Sequence, residues 1–302
     1  MGFEFSSRMG IQSQVREIAA QQVDKALKEV ALEDADFVQT VHKARRHCKR
    51  LRGLLRLVEP RFKRFADENW AIRDAMNLLA GSRDAAVMLE TMEALAQFDG
   101  EKSEPRMEPA LIDAVRLLLE QRIQTLPEAA AQRGLLEPFS QALIKIGERV
   151  GDWSIKGHGF RCLGDGLEET YRRMRQEMAF ARRSPNADAL HEWRKHTKYH
   201  WHHVGLLQAA APQMLEGRQQ LLDQLAETLG DHHNLAVLDQ ALCDERGPIA
   251  EADISVVRHV IGERQAMLAE QAFTLGQQLV AEKPSSLRAR FAKYWALLPA
   301  EK

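Results

Sequence analysis

The stretch from Phe37 to Val58 carries seven Lys or Arg and no Asp or Glu, and this charge segregation narrows what the chain can fold into. His42, Arg45, Arg46, Lys49, Arg52 and Arg56 recur at spacings of three and four, so on an α-helix they share one face. Val41, Ala44, Cys48, Leu51, Leu55 and Val58 form an apolar stripe beside them. The segment therefore reads as an amphipathic helix with one side in a core and the other a row of cations. No carboxylate within the segment stands four residues from any of them, so the helix requires an anion from elsewhere.

The pattern returns 149 residues later. Val41 to Leu55, VHKARRHCKRLRGLL, aligns without gaps on Leu190 to Val204, LHEWRKHTKYHWHHV. His42 falls on His191, Arg45 on Arg194, Arg46 on Lys195, His47 on His196 and Lys49 on Lys198. A second pair of segments, LAGSRDAAV from Leu79 and LGDHHNLAV from Leu229, repeats at 150 residues, with Arg83 over His233 and Asp84 over Asn234. The chain thus reads as an internal duplication, with halves at residues 1–151 and 152–302. The copies also differ. Arg50 is matched by Tyr199, Arg52 by Trp201 and Gly53 by His202, and the second copy holds five histidines, so its charge is expected to depend more on pH.

The rest of the chain reads as helical throughout. Ala, Leu, Glu, Gln and Arg dominate amphipathic runs and β-branched residues are sparse, which predicts an all-α fold. Helices are expected over residues 9–33, 35–58, 60–80, 83–98, 107–126 and 136–149, then 164–182, 187–208, 212–229, 232–244, 249–281 and 285–297. Prolines 60, 127, 185, 212, 248 and 284 fall near their ends or starts. Gly151 to Gly166, with five glycines, reads as the connection between halves. A net charge of −1 argues against a generally basic coat and requires the positive charge to be local. Three cysteines without a CxxC spacing read as reduced thiols. No secretory pattern and no 18-residue apolar run is found, so a cytoplasmic protein without a membrane span is expected.

The paired histidine-headed basic helices, together with the matched LAGSRD and LGDHHN segments, resemble the CHAD family, the conserved histidine α-helical domain. The resemblance covers nearly the whole chain and implies two four-helix bundles related by pseudo-twofold symmetry. It also implies basic stripes facing a central groove or pore, and binding of inorganic polyphosphate, with association to polyphosphate granules as a corollary. No ExExK strand motif of a fused triphosphate enzyme occurs, so the chain looks like the stand-alone form. GLEETYRRMR, Gly166 to Arg175, resembles the corresponding family helix and adds Arg172 and Arg175.

The expected polyphosphate-binding set is His42, Arg45, Arg46, Lys49, Arg52, Arg83, Arg172, Arg175, His191, Arg194, Lys195, Lys198 and His202. The first half is expected to carry more of the affinity. Arginine offers bidentate contacts to phosphate oxygens and lysine a compact charge, and neither requires a nucleophile, cofactor or metal. His42 and His191 have two open readings, direct contact with phosphate or a structural hydrogen bond; the first predicts affinity rising as pH drops through about 6.5. Asp84 and Asn234 are expected to orient their neighbours. HEWRKH has one residue too many for a zinc HExxH, so no metal site is expected. Two rival classes stay open. A nucleic-acid binder would use Trp193, Tyr199 and Trp201 for stacking. A phosphohydrolase would need Asp84, Asp165 or Asp231 to gather a metal.

Overall fold

The computed structural model describes residues 2–32, 36–79, 84–124, 133–244, 247 and 249–300. Among them run eleven α-helices: α1 Ile11–Val30, α2 Phe37–Val58, α3 Phe65–Asn77, α4 Asp84–Gly100, α5 Pro109–Gln124, α6 Leu136–Val150, α7 Arg161–Arg183, α8 Ala187–Leu206, α9 Pro212–Asp244, α10 Glu251–Leu279 and α11 Pro284–Trp295. No strand is found among the described residues, and the nearest approach to one is an isolated bridge between Phe62 and Ile155. None of the described helices is long and apolar enough to cross a membrane.

The all-α expectation holds, and the differences lie at glycines. The runs expected at 212–229 and 232–244 are one helix, α9, which passes through Leu229-Gly230-Asp231 without a turn. Gly230 serves close packing instead: a Cβ there would stand 3.2 Å from the Arg194 guanidinium. The helix expected from residue 164 begins three residues earlier, at Arg161, and holds Gly164 and Gly166. A Cβ on Gly166 would run into the backbone carbonyl of Leu57 in α2, so this glycine lets two helices touch. Gly157 and Gly159 keep the turn role, with φ of 105° and 56°.

Two hydrophobic cores form, and each draws on both sides of the expected 151/152 boundary. The larger gathers residues such as Val15, Leu54, Leu143, Leu163, Trp193, Leu222 and Phe291. The smaller joins α4 and α5 to the second half of α9 and the first half of α10, through Met88, Met92, Leu119, Leu238, Val257 and Leu268. α9 and α10 belong to both: Leu222 and Leu225 face one core, Leu235 and Leu242 the other. At about 1.5–3 kcal/mol for each large apolar side chain buried, the shared helices couple the two cores energetically.

α2 and α8 lie at the centre of the larger core, and the same local device starts both. Asp36 caps α2 by accepting the Gln39 amide at 2.9 Å, and Asn186 caps α8 by accepting the Ala189 amide at 2.8 Å. Each such cap contributes about 1 kcal/mol and fixes where the basic face begins.

Candidate functional site

The two basic helices cross in direct contact. A Cβ on Gly53 would stand 2.7 Å from the His202 Cβ and 2.8–2.9 Å from its ring. Next to it, His203 Nε2 lies 3.1 Å from the Gly53 carbonyl. A carbonyl only accepts, so Nε2 carries the proton and donates. Gly53 and His202 are equivalent positions of the repeat, and they meet each other. Only one of the two can then bear a side chain. Beyond the crossing, Arg56 and Arg52 lie over the ring of Tyr199, at 5.3 and 5.9 Å. Advancing along α2 thus means going back along α8, and the helices run in opposite senses across the contact. His42 and His191 stand at the far ends, each about 16 Å along its own helix from the crossing at 1.5 Å per residue. The two leading histidines are not brought together.

On α2 the expected apolar stripe is buried to within 1% exposure, and the basic stripe is half-buried or exposed. Several of its arginines contact neutral groups. Arg45 donates to the Met76 carbonyl at the end of α3 at 2.9 Å, and Arg52 to the Asn69 side-chain oxygen at 3.0 Å. Arg50 lies 5.6 Å over the Phe3 ring. Arg46 points outward and, among the described residues, makes no hydrogen bond or ion pair. Lys49 is exposed near the crossing, where it and Lys198 both raise the positive potential at His202. Arg56 bonds a carboxylate, Glu59 at 2.8 Å.

On α8 and α7 the cations meet acids. Lys195 pairs with Glu192 at 2.7 Å, and Lys198 lies 3.5 Å from Asp223 and 4.0 Å from the Trp201 ring centre. Arg172 and Arg173 both clamp Glu169, at 2.5 and 2.7 Å, and hold its carboxyl below the usual range. Arg194 packs against Gly230 and His191 stacks on His233, ring centres 4.2 Å apart.

Three of the expected site residues need separate treatment. His202 is 6% exposed and its pKa lies well below the usual histidine value, because burial and then Lys198 oppose a charge; it is a packing residue. Arg175 turns away to the opposite side of α7, where it donates to the Glu282 carbonyl. Arg83 lies outside the described residues, as does the Asp84 side chain.

The pH expectation for α8 is also corrected. Burial is the first cause in each case: it takes His196 down to about 4 and His203 to about 3, and His200 well below 6.5. His191 is lowered too, by burial and then by Arg194 and Lys195. These rings are neutral near pH 7, so α8 owes its charge there to Arg194, Lys195 and Lys198. His47, the partner of His196 in the repeat, is likewise lowered to about 4 by burial, and its Nδ1 lies 2.9 Å from the Gln22 side-chain oxygen.

Two residues belong with the stripes that spacing alone does not select. Arg50 stands one turn after Arg46 and follows Lys49, off the main row but beside the crossing. Arg173 is exposed on the side of α7 toward α2 and α8: it and Arg56 both act on His196. The signal was Gly166, since Gly166, Thr170 and Arg173 share the face that touches α2. The cations thus form a band across the crossing, whose centre is filled by His202. A cavity of about 410 Å³ lies beside its outer end, lined by Asp188, His233, Gln240 and Asp244 among others.

The stacking and metal candidates are occupied otherwise. Trp193 is fully buried and stacks on Phe273 at 5.3 Å, while Tyr199 and Trp201 are covered by Arg56 and Lys198. Asp165 is bound by Arg61 and Arg288, and Asp231 lines a small cavity that Arg264 also lines. Among the described residues no three His, Cys, Asp or Glu converge as a metal site would require.

Comparison with known proteins places this arrangement in context. Residues 17–243 match the family model of the CHAD domain. PptA from Streptomyces chartreusis has a similar fold, with a TM-score of 0.60 at 14% identity, covering 90% of this chain and 99% of that one. The CHAD domain from the plant Ricinus communis superposes with a TM-score of 0.57 at 15% identity, covering 96% of this chain and 93% of its own. At these identities the likeness concerns the fold. No curated protein matches the chain.

Proposed function

The chain belongs to the CHAD domain family, and from this membership and the geometry of the basic band we propose that it binds inorganic polyphosphate along α2 and α8 without catalysis. The observation that carries the proposal is the state of the α2 cations. Arg50 and Arg52 are held by an aromatic ring and an amide, and Arg46 by nothing among the described residues. Neutral partners orient a guanidinium without neutralising it, so the charge stays available to a polyanion.

A flexible chain of phosphates suits such a band. It offers repeated oxyanions and no bases, so it can follow cations spread along two helices and needs no pocket. Binding releases counterions condensed on the chain, so affinity falls with added salt. His42, Arg45, Arg46, Lys49, Arg50 and Arg52 form the first arm of this path; Lys198, Lys195, Arg194 and His191 form the second, with Arg173 beside the crossing. Binding to granules follows from the same chemistry. A nucleic-acid backbone would meet the same charge, but the covered aromatic rings leave its bases no platform.

The test is calorimetric titration of long-chain polyphosphate against the wild type and an Arg46→Glu/Arg50→Glu variant, with single-stranded RNA at matched phosphate content beside it. The proposal expects binding selective for the inorganic chain and lost in the folded variant. Equal affinity for RNA would make the protein a general polyanion binder. Release of phosphate in the presence of magnesium would overturn the absence of catalysis.

A further inference from the structure

On the side of α7 away from Arg173, three guanidinium groups gather at Glu282, two at its carboxylate and one at its backbone carbonyl. Arg290 bonds the Glu282 carboxylate through Nε at 3.4 Å and through Nη2. Arg218 brings Nη1 to 3.7 Å from the same carboxylate. Arg175 donates to the Glu282 backbone carbonyl. The remaining partners are neutral: Arg218 donates to the Leu279 carbonyl at 3.3 Å and to His200 Nε2 at 3.0 Å, and Arg290 lies 3.5 Å from the Tyr294 hydroxyl. His200 is fully buried and accepts at Nε2, so it is the neutral ring and adds no negative charge. Among the described residues no other carboxylate bonds these arginines, which leaves three cations for one anion.

The arrangement differs from an ordinary surface ion pair. The Arg218 side chain is only 13% exposed, and it lies under a second cation, Arg290, with the Tyr171 ring 5.2 Å away. Like charges at this depth are screened weakly, so a single carboxylate does not balance them. Glu282 itself stands in the short connection between α10 and α11, 27% exposed. The guanidinium is the more deeply buried partner, and the carboxylate is the more exposed one.

We infer that Arg175, Arg218 and Arg290 form a second anion site, distinct from the α2–α8 band, in which the Glu282 carboxylate holds the place of a small phosphate-class oxyanion that displaces it. A phosphate dianion brings twice the charge of the carboxylate, and its tetrahedral oxygens serve more than one guanidinium at once. The inference is independent of the polyphosphate reading, since the residues and the face of α7 are different.

The experiment is thermal melting in inorganic phosphate at fixed ionic strength, with chloride as reference, in the Arg46→Glu/Arg50→Glu background so that the band does not contribute. Glu282→Gln removes the internal competitor and should lower the melting temperature in chloride. Phosphate should restore it, with a midpoint at least tenfold below that of the Glu282-containing protein. Adding Arg290→Gln should abolish the response, which separates a site from the general stabilising effect of phosphate on folded proteins. A phosphate response equal in the Arg290→Gln variant, or a Glu282→Gln midpoint no tighter than the parent's, would overturn the site. If Glu282→Gln does not fold, Glu282→Asp, which draws the carboxylate back, carries the same comparison.

Discussion

α2 and α8 are two copies of one segment, and they hold their cations differently. The α2 arginines 50 and 52 rest on a ring and an amide, whereas Lys195 and Lys198 on α8 face Glu192 and Asp223 and Arg172 and Arg173 on α7 share Glu169. The duplication preserved the row of positive residues, but the neighbours decide how much of that charge is free to act. An exposed ion pair contributes about 0–1 kcal/mol to stability, yet it must be broken or shared before phosphate takes the cation. Arg46, Arg50 and Arg52 of the first copy bond no carboxylate among the described residues, whereas Lys195 and Lys198 of the second must first give up theirs.

The largest expected effect tests this difference directly. Arg46→Glu/Arg50→Glu should weaken long-chain polyphosphate binding at least about 100-fold, from two charged contacts at about 1.5–3 kcal/mol each. Lys195→Glu/Lys198→Glu should cost only about tenfold. Calorimetry on both variants, with melting curves to show that each is folded, decides it; equal losses would remove the distinction between the copies.

The crossing gives the next prediction. Gly53→Ala drives a methyl group into His202 and should destabilise the fold by about 1–3 kcal/mol, as overpacking does. His202→Gly removes the Cβ as well as the ring and vacates that space, so the double variant should be more stable than the sum of the single effects implies. A double-mutant cycle by urea unfolding reads the coupling, and strict additivity would mean that the two equivalent positions do not meet.

Acidity sharpens the contrast, because α8 carries three buried histidines, His200, His202 and His203, that are neutral in the fold. Their folded pKa values lie below the unfolded value of about 6.5, so protons bind preferentially to the unfolded chain. Stability is therefore fully present above pH 6.5 and declines as pH falls from there toward about 3, by about 1.4 kcal/mol per pH unit for each histidine. Urea midpoints at pH 7 and 5 test it; a flat profile would contradict burial of these rings as neutral groups.

The smallest effect is on salt dependence. Each cation lost from the path should reduce the slope of log affinity against log salt by about 0.7–0.9, with little change in which polyanion is preferred. Neutral variants at Lys49 and Lys195, titrated at several salt concentrations, give the two slopes.

Much of this was legible in the residues. The apolar stripe Val41 to Val58 and the cationic stripe beside it fixed the orientation of α2, since the helical period leaves one way to bury the first and expose the second. The repeat pointed to the second helix in the same way. What periodicity could not decide was the face of a helix crowded with polar groups on every side. Arg172, Arg173 and Arg175 span most of a turn, and only the contact of Gly166 with Leu57 shows that Arg173 lies on the side toward α2. Nor could it tell a histidine in a core from one on a surface: His202 lies in a basic row by spacing, but the missing side chain at Gly53 makes room for it. Gly230 read as a break because close helix packing and chain turning use the same residue.

The central claim is that α2 presents cations to an external polyanion, and the most direct measurement is long-chain polyphosphate affinity of the wild type and Arg46→Glu/Arg50→Glu at one fixed salt concentration. The account predicts tight binding by the wild type and none by the variant, with melting temperatures that agree. Unchanged affinity in a folded variant, or no binding by either protein, would contradict it.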